Sequence, residues 1–474
     1  MSKAFDKVWH KGLLFKLSRA GIQGNLLNWF QNYLSSRQQR VVLPGSSSDL
    51  SSISAGVPQG SILGPLLFLI YINDIVVDIN SNINLFADDT SLFFVVRNPD
   101  DTADRIQSDI DRITSWANKW LVTFNPNKTE SMILSRKVNK PIHPPLNMLN
   151  MPIVSVESHK HLGLVFSVDC SWHQHIKSIK EKAWSRIHIL RKLKFTLDRK
   201  SLEIIYFTFI RPILEYADVV WDNCTQGEKN ELEKIQYEAA RIVSGCTKLV
   251  SIRDLLSEVG WETLSNRRHK HKLILFYKMF HSLTPQYLSS LLPRTVSQST
   301  PYQLRNSNNL VTLPHRTSLY GSSFLPQTLN SWNSLPPATR NLQTVASFKG
   351  ALNKDRPKNN PLFYQGERRL QVIHTQLRTK CCPLNHYLYL KNILDSPNCG
   401  CGGVESANHF FFTCNLYSHI RPKLLDSIKS ITNGQCSLDI ILQGDPSKSF
   451  QQNLIIFQAV HEFIDQSKRF QQTS

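Results

Sequence analysis

The strongest chemical signal in this sequence is a pair of adjacent carboxylates, Asp88 and Asp89, in the run Phe86-Ala87-Asp88-Asp89 between two apolar, strand-like stretches. Like charges side by side raise one another's pKa unless a counterion offsets them. A divalent cation does so directly, and magnesium prefers carboxylate oxygens while keeping several waters. The two side chains need not point the same way on a hairpin, so one can hold metal while its neighbour stands farther off. The dipeptide alone also suits an ordinary turn between strands. Upstream, Ala55-Gly56-Val57-Pro58-Gln59-Gly60-Ser61 sets glycines, a proline and a glutamine before an apolar run. Glycines let backbone approach a ligand closely. N–H groups at a helix start can meet phosphate, and Gln59 offers both donor and acceptor. A plain loop-to-helix entry capped near Ser61 is the competing reading. Occurring together, the two motifs favour a nucleotide site over two unrelated turns.

A third constellation lies near the C-terminus, where Cys399, Cys401, His409 and Cys414 follow the pattern C-x-C-x7-H-x4-C. These are tetrahedral zinc ligands by type, and Gly400, Gly402 and Gly403 permit a tight first turn. The first interval is shorter than the common C-x2-C, so four unrelated residues of a small domain remain an alternative. Cys381 and Cys382 are adjacent and cannot easily share one closed site. His159 and His161 favour a structural hairpin over a metal pair.

The elements that must position these residues are legible from periodicity. Residues 13–33 read as helix, interrupted at Gly21, and residues 39–54 as two strands joined by Pro44-Gly45-Ser46-Ser47-Ser48. From Gly60 an apolar stretch runs to Asn73-Asp74 as a buried helix. Residues 83–95 read as strand, Asp88-Asp89 turn and strand. Ile106, Ile110, Ile113 and Trp116 then recur at helical spacing. Residues 140–152 suggest a turn region or minor boundary. Helices are expected at 173–194 (Ile176, Ile179, Ala183, Ile187 and Leu190 on one stripe), 201–209, 228–243 and 453–466. Residues 286–365, rich in Ser, Thr, Asn and Pro, are expected to be long loops around short elements.

Length and composition suit two or three folded domains: 474 residues, 41% hydrophobic. The formal charge of +19 favours a polyanionic partner, nucleic acid before all others. Residues 136–200 hold thirteen Lys or Arg against four Asp or Glu, so much of the excess sits on helices with one charged face. Nine cysteines form no regular disulfide framework, which points to a reducing intracellular compartment, cytoplasmic or nuclear. Neither a signal peptide nor a membrane span is expected.

Taken in order, Ser2-Lys3-Ala4-Phe5-Asp6-Lys7-Val8-Trp9-His10, Gly56-Val57-Pro58-Gln59-Gly60-Ser61, Tyr71-Ile72-Asn73-Asp74-Ile75, Phe86-Ala87-Asp88-Asp89-Thr90, Asn125-Pro126-Asn127-Lys128-Thr129-Glu130 and His161-Leu162-Gly163 resemble the reverse transcriptases of non-LTR retrotransposons, the Jockey- and CR1-like groups especially. The resemblance implies an α+β chain: a right-hand polymerase palm with partial fingers (1–135), a palm-thumb hairpin and basic helical thumb (136–250), a helical, loop-rich connection (251–365) and a C-terminal Cys/His domain (366–474). It implies Asp88 as ligand of catalytic magnesium with Asp89 its partner. Phe5 would lie under the incoming sugar, Gln59 and Gly60 at the template or nucleotide, and Lys128 near the phosphates. His161-Leu162-Gly163 would grip the primer. Asp6 would be positional. The Cys/His module with Phe410-Phe411-Phe412 would hold zinc. RNA template, DNA primer or target DNA, and deoxynucleotide triphosphates are the implied partners. The family's other metal-binding aspartate stands two residues before the Ser-Lys pair, where only Met1 precedes Ser2. The expectation is therefore a chain truncated inside a motif, with an impaired two-metal site. A non-catalytic nucleic-acid-binding remnant is the alternative.

Overall fold

The computed structural model describes residues 3–300, 302 and 306–471, so Ser2 of the first motif lies outside it. The chain separates into two compact units, residues 1–171 and 172–474.

In the first unit, helix α1 (His10–Arg19) ends at Gly21, whose φ of +92° turns the chain before α2 (Gly24–Leu34). The interruption expected at this glycine is present. Strand β1 (Arg37–Gln39) pairs with β4 (Ser51–Ile53), enclosing the small hairpin of β2 (Val42–Leu43) and β3 (Ser46–Ser47). The apolar α3 (Leu63–Ile72) follows, then the antiparallel pair β5 (Asn82–Phe86) and β6 (Asp89–Phe93). Helix α4 (Pro99–Lys119) starts with Pro99 at its first position, and the Asn98 side chain accepts from the Asp100 amide at 3.0 Å. Leu13, Leu17, Leu67, Phe68, Tyr71, Ile72 and Ile113 form the core of these elements.

After α4, β7 (Glu130–Ser131) pairs in parallel with β10 (Val154–Ser155). Between them, β8 (Asn147–Met148) and β9 (Met151–Pro152) make a hairpin. Leu146, Met148 and Ile153 pack on Ala103 and Ile110 of α4, so residues 140–152 contain a turn inside the unit. Strands β11 (Ser158–His161) and β12 (Leu164–Ser167) close the unit as a further hairpin.

The second unit is helical. Helix His173–Leu193 buries the expected stripe of Ile176, Ile179, Ala183, Ile187 and Leu190, and it packs along Gln226–Ser244. Arg199–Ile205 runs into a π turn at Tyr206–Ile210. Glu258 is buried among Arg199 and Arg378, each donating to Oε1 at 2.8 Å. Burial pushes its carboxyl upward, but the two guanidiniums outweigh this and hold it below the usual range. Within the polar stretch 286–365, Leu329, Trp332 and Phe348 meet Phe276 and Tyr277 in a small core of their own. The last helix, Phe450–Gln466, starts three residues before the apolar pattern does, because Ser449 and Gln452 form a capping box. Among the described residues no helix is long and apolar enough to cross a membrane.

Candidate active site and metal centre

The register of β5 and β6 ends at the pair Phe86↔Asp89, so Ala87 and Asp88 form a two-residue hairpin loop. Ala87 takes a positive φ of +51°, as short hairpin loops require. The turn therefore lies one residue earlier than an Asp88-Asp89 turn would place it. Asp88 sits in the loop, half-buried, whereas Asp89 opens the second strand and is exposed. Strand alternation separates the faces. Ile83, Leu85 and Leu92 pack on the core, while Asn84, Ser91 and Asp89 share the opposite face. His161 reaches that face from the β11–β12 hairpin, its Nε2 lying 3.4 Å from Ser91 Oγ. Leu162 and Gly163 make the hairpin turn with φ of +46° and +85°. His159 faces Glu130 at 2.6 Å, and the two imidazoles stack with centroids 6.1 Å apart. This is hairpin structure, as expected of the pair.

Two motifs far apart in sequence are strapped together. The Gly56 amide donates to Val8 O and the Val57 amide to Phe5 O, both at 2.8 Å. His10 Nε2 lies 2.7 Å from Gly56 O, and Gln59 Nε2 donates to Asp6 Oδ1 at 2.7 Å. Gly56 has φ of +96°, and a Cβ there would stand 2.8 Å from the Asp6 carbonyl oxygen, so the close approach requires glycine. Phe5 stacks on Phe68 with centroids 4.4 Å apart, which sets its ring against the middle of the apolar helix α3. Gly60, φ +81°, has open space where a side chain would be. Ser61 Oγ donates to Pro58 O at 2.7 Å and accepts from the Gly64 amide at 2.9 Å, the capping role its position suggests. Lys128 ends a short 3-10 turn, Pro126–Lys128, and is exposed. Asn125 fixes that turn by accepting from the Asn127 amide at 3.1 Å.

Sequence reasoning gave no role to Lys16 or His10. Lys16 lies in the core, donating to Tyr71 O at 2.6 Å and Asp74 Oδ1 at 2.5 Å, with its ammonium 3.7 Å from the Trp120 ring centre. Burial lowers its pKa, and Asp74 opposes that. Trp116 Nε1 also donates to Asp74, at 2.9 Å. Asp74 of the Tyr-Ile-Asn-Asp motif is thereby tied to α1 and α4. The available signal was a lysine on an otherwise apolar helix face.

In the second unit, Cys399, Cys401, His409 and Cys414 turn their ligand atoms to one point, all within 4.8 Å of one another. The Cys399–Cys414 and Cys401–Cys414 sulfur separations are 3.6 Å, and Cys401 Sγ to His409 Nε2 is 3.1 Å. A tetrahedron with Zn–S bonds of about 2.3 Å has sulfur–sulfur edges of roughly 3.8 Å. The donor set and its edges thus fit zinc. His409 Nδ1 lies 3.0 Å from Thr413 Oγ1, which leaves Nε2 as the ligand atom. A Cβ at Gly403 would stand 2.7 Å from the His409 ring. A hydrogen bond from the Gly403 amide holds the Cys401 thiol below its ordinary pKa, whereas burial pushes Cys414 upward. Behind the cluster, Phe410 and Phe411 are fully buried against Tyr417 and Phe463. Cys382 belongs to the same core, and Cys381 lies 3.2 Å from Thr379 Oγ1, outside the cluster.

Residues 1–166 match the family model of the reverse transcriptases (RNA-dependent DNA polymerases). Over that stretch the chain is similar to reverse transcriptases, and the relatives it matches are polymerases of transposons. It is 27% identical over 277 residues to a probable RNA-directed DNA polymerase from transposon X-element of Drosophila melanogaster, covering 57% of this chain and 30% of that protein. Against the RNA-directed DNA polymerase from mobile element jockey of Drosophila funebris the identity is 27% over 271 residues, 54% of this chain and 29% of the relative. A probable RNA-directed DNA polymerase from transposon BS of Drosophila melanogaster shares 25% over 282 residues, 57% and 31% of the two chains. The chain thus spans about 30% of the length of these curated relatives. The reverse transcriptase match ends at residue 166, close to the junction of the two units at 171, and the Cys/His cluster lies beyond it.

Proposed function

We propose that this chain acts in RNA-directed DNA synthesis by a non-LTR retrotransposon, adding deoxynucleotides to the 3′-hydroxyl of a DNA primer or nicked target along an RNA template. The observation that carries the reading is the acidic hairpin, with Asp89 and Ser91 on its open face and His161 reaching that face. Asp88 would hold a divalent cation with Asp89 beside it, both being accessible oxygen donors of the kind magnesium takes. Bound there, the cation would supply charge neutralisation at the attacking and leaving oxygens. The protein's own groups then position the reactants. Phe5, backed by Phe68, would form the floor under the incoming sugar. Gln59, held by Asp6, and the open backbone at Gly60 would face the nucleotide or template. Lys128 would stand by the departing pyrophosphate as proton donor. His161, Leu162 and Gly163 would hold the primer strand against the hairpin.

In this reading residues 1–135 are palm with partial fingers, and residues 136–250 hold the palm-thumb hairpin and a thumb that contacts phosphate backbone. Residues 251–365 are a connection, and residues 366–474 a zinc-stabilised C-terminal domain. Zinc in the Cys399, Cys401, His409 and Cys414 site would hold its tail together, structural in role because all four ligands come from protein. RNA-templated primer extension in magnesium tests the proposal. It should be run on residues 1–474 and on a version extended upstream with the family's preceding aspartate. Asp88→Asn should remove extension by the longer protein at least a thousandfold; an undiminished rate overturns the assignment. Absence of extension by both, with salt-dependent template-primer binding retained, favours a non-catalytic binding protein.

A further inference from the structure

A cleft of about 450 Å³ opens on the second unit beside helices Leu264–Phe280 and Val345–Leu352. Its floor is fixed by ion pairs. Arg267 Nη2 donates to Glu215 Oε2 at 2.9 Å, and His271 Nδ1 lies 2.6 Å from Asp218 Oδ2. Lys270 is held by Glu262 and by Asn353 Oδ1, the latter at 3.0 Å. The rim differs. Lys278, Lys349 and Arg356 line the same cleft, and none of their side chains has a hydrogen-bond or ion-pair partner among the described residues. Lys349 and Arg356 are exposed and Lys278 half-buried. The positive field is felt nearby: burial first, then Arg267 and Arg356, hold the Arg211 guanidinium below its ordinary range.

Five cations against one carboxylate, Glu262, make the lining a site for anions, and its size suits phosphate and sugar rather than a folded partner. Val219, Ile274 and Leu275 supply the apolar part of the lining, which among the described residues has no Phe, Tyr or Trp on which a base could stack, and its one imidazole, His271, is held by Asp218. Such a surface contacts backbone without reading sequence. We propose that the cleft is a second nucleic-acid site, which binds the phosphodiester backbone of a strand through Lys278, Lys349 and Arg356. The assignment goes beyond the polymerase reading, since the cleft lies wholly in the second unit and performs no chemistry.

Two measurements on the full chain test it. In the first, the salt dependence of binding to labelled oligo(U) and oligo(dT) is compared between the wild type and the triple variant Lys278→Gln, Lys349→Gln, Arg356→Gln. Single-strand binding loses about 0.7 of logarithmic slope for each phosphate contact removed, so the triple variant should lower the slope by about 2. In the second, Lys278 and Lys349 of the wild type are probed by acetylation with oligo(U), oligo(dT) or inorganic tripolyphosphate present. Protection by a strand is expected, and the strand that protects names the source. An unchanged slope in a folded triple variant overturns the proposal, as does protection by tripolyphosphate but by neither strand. If the variant fails to fold, the wild-type footprint decides. Both readouts report binding alone, so a protein that fails to extend primers can still pass them.

Discussion

Gly56→Ala should damage the protein through one close approach, and the structure sets the size of the effect. The residue has φ of +96°, and its new Cβ would lie 2.8 Å from the Asp6 carbonyl oxygen and 2.9 Å from two further backbone atoms of Asp6. Holding a non-glycine residue at a left-handed φ costs on the order of 1–2 kcal/mol. The clash cannot relax freely, because the Gly56 and Val57 amides are bonded at 2.8 Å to the carbonyls of Val8 and Phe5, on either side of Asp6. Giving up one or both of those bonds costs about 1 kcal/mol each. The sum is roughly 2–4 kcal/mol, which for a unit of this size corresponds to a melting temperature lower by roughly 5–15 °C. Gly60→Ala is the internal control. It has a similar φ of +81° but open space at the Cβ, so only the conformational cost applies. Urea unfolding followed by circular dichroism would compare the two variants. Gly56→Ala should be the less stable by about 1–2 kcal/mol, and it should lose the Gln59–Asp6 arrangement and with it nucleotide incorporation. Equal destabilisation of the two would refute the reasoning that the first motif and the glycine loop are locked by contact.

Other outcomes follow from the second unit. Glu258→Gln leaves Arg199 and Arg378 buried without their counterion, so unfolding free energy should fall by about 3–5 kcal/mol; a loss under 1 kcal/mol in a denaturant titration would contradict the ion cluster. His374 and His461 face each other at 3.2 Å, and burial, followed by Arg378, holds both pKa values down, His461 to about 4. Their folded pKa values lie below the unfolded one of about 6.5, so their stability contribution is complete above that pH and is lost as pH falls towards 4. For His461 alone the loss is about 3 kcal/mol, and His461→Gln should flatten the slope of urea midpoint against pH. A slope identical to wild type would exclude the pair as its source. Purified protein should carry one zinc per chain, and Cys399→Ser or chelation should release it and speed hydrogen exchange in residues 366–471 while leaving residues 3–171 protected. Uniform deprotection, or no zinc, would contradict a local structural site.

What could be read in advance follows the range of the interactions. Periodicity is local, so the stripe from Ile176 to Leu190 and the break at Gly21 were legible, as was the Cys/His cluster, whose ligands sit within sixteen residues. The hairpin at Asp88 was found but its turn misplaced by one residue. Asp is a good turn former, yet the Phe86↔Asp89 register puts Ala87 at the positive φ. Bonds between distant residues left no pattern: Gln59 to Asp6, His10 to Gly56, His161 to Ser91 and Lys16 to Asp74 appear only in the folded chain. The small core at Trp332 and Phe348 was hidden because its apolar residues are spread through Ser, Asn and Pro.

Iron(II)-driven hydroxyl-radical cleavage, with iron replacing magnesium in the presence of template-primer and nucleotide, reports directly where a divalent cation sits. The backbone should be cut beside residues 86–89, and Asp88→Asn with Asp89→Asn should abolish those cuts while primer binding persists. Cleavage that spares this hairpin, or that continues unchanged in the double variant, would contradict the claim that its carboxylates hold the catalytic metal.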